Sequence, residues 1–342
     1  MTKTLTVPST NGSAVRTEKL TMVQAINHAL DEEMQRDPDV MLMGQDVGRM
    51  GGVFGLTRGL HEKFGEERVR DVSIVEHLVV GGAVGAALGG LRPVAEVQFA
   101  DFLLLAGDES FHKMAKWRYM HGGILSLPMV VRAPCGIQGG VGAEHSQSPE
   151  GHYWHTPGVK IAVPSNPADA KGLLKAAIRD DNPVIYFENR RLYRVKGPVS
   201  SDPELLVPFG QGTVRREGAD VTIVAWSAMV DAALEAAEIL DREEISVEVV
   251  DPRTLVPFDM ETVAASVRKT SRLLVLHEAS LTMGPGAEIA ARAADELFEY
   301  LDAPVKRLAG TDNPIPQNMA LEPFCYPQTD QIVSTVRDLA KW

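Results

Sequence analysis

The sequence predicts an α/β protein of two domains, each built on a parallel sheet, with the second domain smaller than the first. Three observations predict it. Short apolar and β-branched runs, about four to eight residues long, alternate with segments of helical period, the pattern of repeated βαβ crossovers. A polar, Pro- and Gly-containing stretch from Val195 to Gly218 interrupts that alternation. The chain's 342 residues are enough for two cores of ordinary size.

Taken in order, residues 1–20 are polar and contain no apolar signal-peptide core, so they read as a flexible tail and point to the cytoplasm. Order is expected from Thr21, where "TMVQAINHALDEEM" sets Thr21 and Gln24 at capping-box spacing before a helical pattern. In "IVEHLVVGGAVGAALGGLRP", Glu76 stands at the mouth of an apolar run shorter than the roughly 20 residues of a membrane span. Gly81, Gly85 and Gly89 recur every four residues there, so one helical face lets another helix come close. By itself the stretch reads as a core helix with Glu76 as a first-turn carboxylate favoured by the helix dipole. Strands are expected in "PVAEVQF", "LPMVVRAP", "VKIAVPS" and "PVIYFE", with a helix in "PADAKGLLKAAIRD", completing a first domain over residues 21–200. Residues 201–219 form a linker that includes a short strand. Residues 220–342 form the second domain, with strands in "DVTIVAW", "SVEVVD", "RLLVLHE" and "PVKRLAG" separated by helices such as "MVDAALEAAEILD".

The balance of 34 Lys+Arg against 46 Asp+Glu, a net charge of −12, argues against nonspecific binding to nucleic acid or anionic membranes. Cys135 and Cys325 are the only cysteines and form no CxxC pair, so neither a disulfide framework nor a thiolate zinc site is indicated. Two glycine-rich stretches, "GGVGAEH" and "GPGAEI", miss the third glycine of a dinucleotide-binding loop and read as turns. His145 follows a strand and a glycine-rich loop, where binding residues concentrate. Ser146 beside it invites a serine hydrolase reading, but no GxSxG elbow precedes it. His152 and His155 add no familiar metal spacing.

From about Thr21 onward the chain resembles the β subunit of the decarboxylating first component of 2-oxo acid dehydrogenase complexes, the family of pyruvate, branched-chain and acetoin dehydrogenases. The resemblance rests on "GQDVGRMGGVFGLTRGL", "RVRDVSIVEHLVVGGAVGAA", "LRPVAEVQFADF", "KWRYMHGG", "EHSQSPEGHYWHTPGVKIAVPSNPADAKGLLKAAIRDDNPVIYFENRRLY" and "VDPRTLVPFDMETVAASVRKTSRLLVLHEA". It implies a thiamine-pyrimidine-binding domain followed by a smaller transketolase C-terminal-type domain.

It also implies roles. Glu76 matches the glutamate that hydrogen-bonds the aminopyrimidine ring of thiamine diphosphate, Phe102 the aromatic against which that ring packs, and His145 the active-site histidine. A structural potassium ion in some relatives would place its ligands at Leu127, Met129, Val130, Ala177, Asp180 and Asn182, whereas Asp180 and Asn182 by themselves read as a helix end and turn. The sequence departs from common family residues at Gln45, Phe102 and Asn189. The family's "GDG…N" motif for magnesium diphosphate does not occur here. The resemblance therefore implies an α subunit that supplies it, in an α2β2 heterotetramer serving the lipoyl and subunit-binding domains of a dihydrolipoyl acyltransferase. The rival expectation is a noncatalytic assembly subunit that docks the acyltransferase. Motif leanings divide among pyruvate, branched-chain 2-oxo acids and acetoin as substrate.

Overall fold

The computed structural model describes residues 16–342. In chain order the strands are β1 (Thr17–Thr21), β2 (Val40–Gly44), β3 (Val69–Asp71), β4 (Arg92–Glu96), β5 (Val130–Cys135), β6 (Lys160–Ala162), β7 (Val184–Asn189), β8 (Lys196–Ser200), β9 (Thr213–Arg216), β10 (Val221–Ala225), β11 (Val247–Asp251), β12 (Thr254–Val256), β13 (Leu273–Ser280) and β14 (Lys306–Gly310).

The expected capping box forms. Thr21 Oγ1 accepts the Gln24 N–H at 3.2 Å, and Gln24 Oε1 accepts the Thr21 N–H at 2.9 Å, which starts helix Met22–Arg36. Order nevertheless begins earlier than Thr21. Strand β1 pairs antiparallel with β8, and Leu20 is buried with Ala25 and Val199, so residues 17–20 are sheet and not tail. A two-stranded ribbon gains its stability by packing on its neighbours, a contact that local sequence does not encode. Residues 1–15 of the expected tail lie outside the described residues.

The first sheet has the order β12-β6-β7-β5-β4-β2-β3, parallel throughout except for β12. Strands β2, β5 and β7 are buried at every position, as a sheet covered on both faces requires. On one face lie helices Met22–Arg36 and Pro167–Arg179, which bury Ile26, Leu30, Leu173 and Ile178. The second of these starts where Asn166 Oδ1 accepts the Asp169 N–H at 3.0 Å, with Pro167 in the first turn. Helix Glu76–Leu88 covers the other face through Val79, Val80, Ala83 and Val84.

The second sheet has the order β14-β13-β10-β11-β9, with β9 alone antiparallel. Strand β9 comes from the expected linker, so this sheet begins before residue 220. The two domains are not independent. Val224, Val250 and Val275 share one core cluster with Val131, Ile161 and Phe187, and β12, which follows β11 directly, crosses over to pair with β6.

The strand order also fixes where a ligand can enter. Strand β2 leads outward to β3 while β4 leads the opposite way to β5, so the connections diverge and leave a crevice beyond the carboxyl ends of β2 and β4.

Candidate active site

The three residues singled out for the coenzyme all lie at that carboxyl edge. Glu76 is the first residue of helix Glu76–Leu88, half-buried, with no side chain capping the helix start. Among the described residues no hydrogen bond or ion pair engages its carboxylate. Phe102 sits in the 3-10 turn Ala100–Leu104, which β4 feeds through Gln98 and Phe99. His145 ends the loop that leaves β5. Its imidazole meets the Phe102 ring edge-on at 5.1 Å and 90° and the Phe99 ring at 5.0 Å and 75°. Phe99 is held in turn by Phe54 at 5.7 Å. The fold thus brings Phe102 and His145 into direct contact, and leaves Glu76 on the neighbouring helix with no hydrogen bond to either.

A buried ion network holds the strand ends that carry this constellation. Arg132 on β5 donates to Glu96 on β4 at 2.8 Å and to both oxygens of Glu188 on β7, at 2.6 and 3.0 Å. Gln98 donates to Glu96 at 2.8 Å and Tyr193 to Glu188 at 2.9 Å, so all three strands are cross-linked below the site. Burial raises the Glu188 carboxyl pKa, and the Arg132 charge opposes that rise. Next to His145, Asp101 Oδ1 accepts the Gln147 N–H at 3.1 Å while its Oδ2 is buried without a partner. Burial pushes this carboxyl above its usual range, against the pull of the Gln147 hydrogen bonds.

The rejected readings have structural explanations. Gly139, Gly140 and Gly142 adopt positive φ, and the Gly140 N–H donates to Glu322 in the second domain at 2.6 Å. A Cβ on Gly140 would meet Gln317 O at 2.7 Å, so the loop serves close domain contact, and its carboxylate partner is the opposite of a phosphate. In "GPGAEI" the Gly286 N–H donates to the buried His277 ring at 3.3 Å. Ser146 Oγ is buried with no hydrogen-bond partner, His145 included, so the nucleophile–base pair of a hydrolase is not formed. His152 and His155 are exposed, and no cluster of three metal-ligating side chains occurs among the described residues.

Five of the six residues implied for potassium have an oxygen that already accepts a hydrogen bond or ion pair, which leaves their carbonyls a second lone pair. Asp180 Oδ1 accepts from Asn182 N–H at 2.8 Å and Asn182 Nδ2 at 2.9 Å, and the Lys160 ammonium sits on Asp180 Oδ2. Its hydrogen bonds hold the Asp180 carboxyl below its usual range although burial pushes it up. Met129 O accepts from Val184 at 3.0 Å, Leu127 O from Met129 at 3.0 Å and Ala177 O from Asp180 at 3.3 Å. Asn182 Oδ1 accepts from Arg118 at 2.7 Å. The helix-end-and-turn geometry is therefore present in full.

Sequence reasoning missed Phe99 and Arg190, which contact His145, and Glu150, which ties the segment after His145 to Trp226. Their available signals were an aromatic before "ADF", two arginines closing a buried strand, and a carboxylate three residues after "HSQ". A cavity of about 840 Å³ lies between the domains, lined by residues such as His152, Glu278, Met283 and Ile315. Ala143, Ser146 and Gln147 beside His145 also line it, whereas Glu76, Phe102 and His145 do not.

Fold and site together define a two-domain protein of transketolase type, with an aromatic platform, a free carboxylate and an imidazole at the switch point of its first sheet. Residues 18–196 match the family described as the transketolase pyrimidine binding domain, and residues 210–332 the transketolase C-terminal domain. A solved structure titled "Split gene transketolase, inactive beta4 tetramer" aligns with a TM-score of 0.76 at 26% identity, covering 95% of this chain and 99% of that chain. The rice (Oryza sativa subsp. japonica) pyruvate dehydrogenase E1 component subunit beta-2, mitochondrial, is 47% identical over 323 residues, 94% of this chain and 86% of the relative. The Bacillus subtilis 2-oxoisovalerate dehydrogenase subunit beta is 44% identical, over 94% of this chain and 99% of the relative. The chain belongs to the family of β subunits of the first, decarboxylating component of 2-oxo acid dehydrogenase complexes.

Proposed function

We propose that this β subunit works with an α subunit in an α2β2 heterotetramer, where it decarboxylates a 2-oxo acid, or cleaves acetoin, and passes the acyl group to lipoyl domains of a dihydrolipoyl acyltransferase. The observation that carries this reading is the half-site at the carboxyl edge of the first sheet: a Glu76 carboxylate with no hydrogen bond among the described residues, and the Phe102–His145 ring pair. The residues fit thiamine diphosphate, because Phe102 offers a ring to pack on and Glu76 a carboxylate for a ring nitrogen. When bound, the coenzyme supplies the electron sink for loss of carbon dioxide. Glu76 holds a proton at that nitrogen, Phe102 excludes water from the ring, and His145 gives or takes the proton needed at the lipoyl sulfur. Magnesium would be held with the diphosphate by the α subunit.

The surface around Glu76 supports a shared site. Ile74 and Leu78 are exposed beside Gly85, and Leu105, Tyr119, Met120 and Ile124 are exposed on the segment that packs against the same helix. Of the three spaced glycines only Gly85 faces open space, since a Cβ on Gly81 would touch Glu109 and one on Gly89 its own helix. The potassium site belongs to the proposal in a narrower form: with Lys160 on Asp180, carbonyl oxygens and not that carboxylate would hold the ion. Melting curves in potassium chloride against choline chloride test it. A cytoplasmic location is likewise proposed, supported by two buried free cysteines and tested by fractionation. Among the described residues no helix is long and apolar enough to cross a membrane.

The deciding experiment measures turnover of pyruvate, branched 2-oxo acids and acetoin by the chain co-purified with its α partner and by the chain alone. Activity confined to the pair, with one substrate preferred, is the expected result. Decarboxylation by the isolated chain would refute the shared site.

A further inference from the structure

We propose that Arg190 is the positioning residue for His145, clamping the two ends of the loop of residues 136–145 and backing the ring stack in which the imidazole sits. The inference rests on the function proposed above. Arg190 follows β7 directly and is only 6% exposed. Its Nη2 donates to Gly136 O at 2.6 Å and to His145 O at 2.7 Å, so a single nitrogen joins the residue that opens the loop to the one that ends it. The guanidinium carbon lies 4.9 Å from the centroid of Phe99, the ring that meets the imidazole edge-on. The same side chain thus fixes both the backbone beneath His145 and one wall beside it.

The electrostatics set this arginine apart. Arg132 and Arg191 each have a carboxylate partner, whereas Arg190 makes no ion pair among the described residues and its Nε has no hydrogen-bond partner. Burying an uncompensated guanidinium is costly, and an apolar residue would fill the same space without that cost. What the guanidinium adds is two charge-assisted bonds to carbonyls plus a flat face for Phe99. Elsewhere Glu278 takes the Ile137 N–H and Glu322 the Gly140 N–H, while Gln147 donates its side-chain amide to Ala143 O and accepts the Gly136 N–H through its carbonyl. Losing Arg190 therefore leaves the loop attached but removes the one side-chain donor to the His145 carbonyl among the described residues. A displacement of about 1 Å at a reacting group can cost on the order of 100-fold in rate.

The test uses Arg190→Met, which keeps volume without donors, in the full chain with its α partner. Lipoyl acylation is expected to fall by at least about tenfold, while decarboxylation read with an artificial electron acceptor falls far less. Amide hydrogen exchange over residues 139–147 is expected to speed up. Arg190→Lys retains a cation able to reach the two carbonyls and should recover part of the acylation rate; it also serves if the Met variant does not fold. Unchanged loop exchange, equal loss of both activities, or no recovery with Lys would overturn the clamp. Because exchange is read without turnover, a failure of the proposed reaction is distinguishable from a failure of this assignment.

Discussion

Glu150 offers the sharpest quantitative test, because it ties the His145 segment to the second domain through a buried carboxyl. It begins helix Glu150–Trp154 and is 3% exposed. Oε1 accepts the Trp226 Nε1–H at 3.3 Å, and Oε2 has no partner. Burial pushes this carboxyl up to about 7, against the pull of its own backbone amide and of Trp226, with nearby Glu278 adding to the rise. The folded state therefore holds a proton that the unfolded chain releases near its ordinary value of 4.5. The associated stability is fully present below that ordinary value and is lost as pH rises to about 7, after which the loss is constant. At about 1.36 kcal/mol per pH unit, the interval amounts to on the order of 3 kcal/mol. Glu150→Gln keeps the shape and the acceptor for Trp226 and removes the titration. Urea midpoints for both proteins, measured from about pH 5 to about pH 8, should converge or cross in favour of the variant as pH rises. Parallel curves would refute the reasoning, since the carboxyl would then titrate alike in folded and unfolded chains.

Three further outcomes follow from the same geometry. Glu76→Gln should slow exchange of the coenzyme's reactive carbon proton by more than about 100-fold with a much smaller effect on coenzyme binding, both measured by NMR in the assembled protein; exchange at the normal rate would leave Glu76 a helix-start carboxylate. At Gly85 an added Cβ meets nothing within 4 Å outside its own helix among the described residues, so Gly85→Leu starts into open space. It should leave the melting of the isolated chain intact within about 1 kcal/mol while reducing assembly in sedimentation velocity, and an unaltered profile would assign that surface no partner. Arg132→Met strands two buried carboxylates and should cost about 3–5 kcal/mol in denaturant unfolding, so a loss under about 1 kcal/mol would contradict the network.

Part of the site was legible because its residues carry local signatures. Glu76 begins its helix where the apolar run begins and His145 ends a glycine loop, whereas Phe102, in the turn beyond β4, was singled out only through the family resemblance. Their shared placement at one sheet edge follows from the alternation of strands and helices, which forces parallel strands to end on the same side. Arg190 was not legible in this role. In "FENRRLY" two arginines look alike, yet Arg191 pairs with Glu278 at 2.5 Å and Arg190 turns to the His145 loop. The glycine stripe was half legible: the spacing is real, but only the chain's own packing reveals that Gly81 is taken by Glu109.

The sequence by itself determined the two α/β units, the capped start at Thr21, the buried strands and the glycine turns. Each depends on residues within a few positions of one another, and periodicity and side-chain capping act at that range. Only the tertiary structure decided that β1 joins β8, that β12 leaves the second domain for the first sheet, and that Glu150 and Trp226 meet in the core between them. Those pairings join segments tens of residues apart. They are selected by burial and by the pairing of backbone and carboxylate groups that no short stretch can satisfy alone.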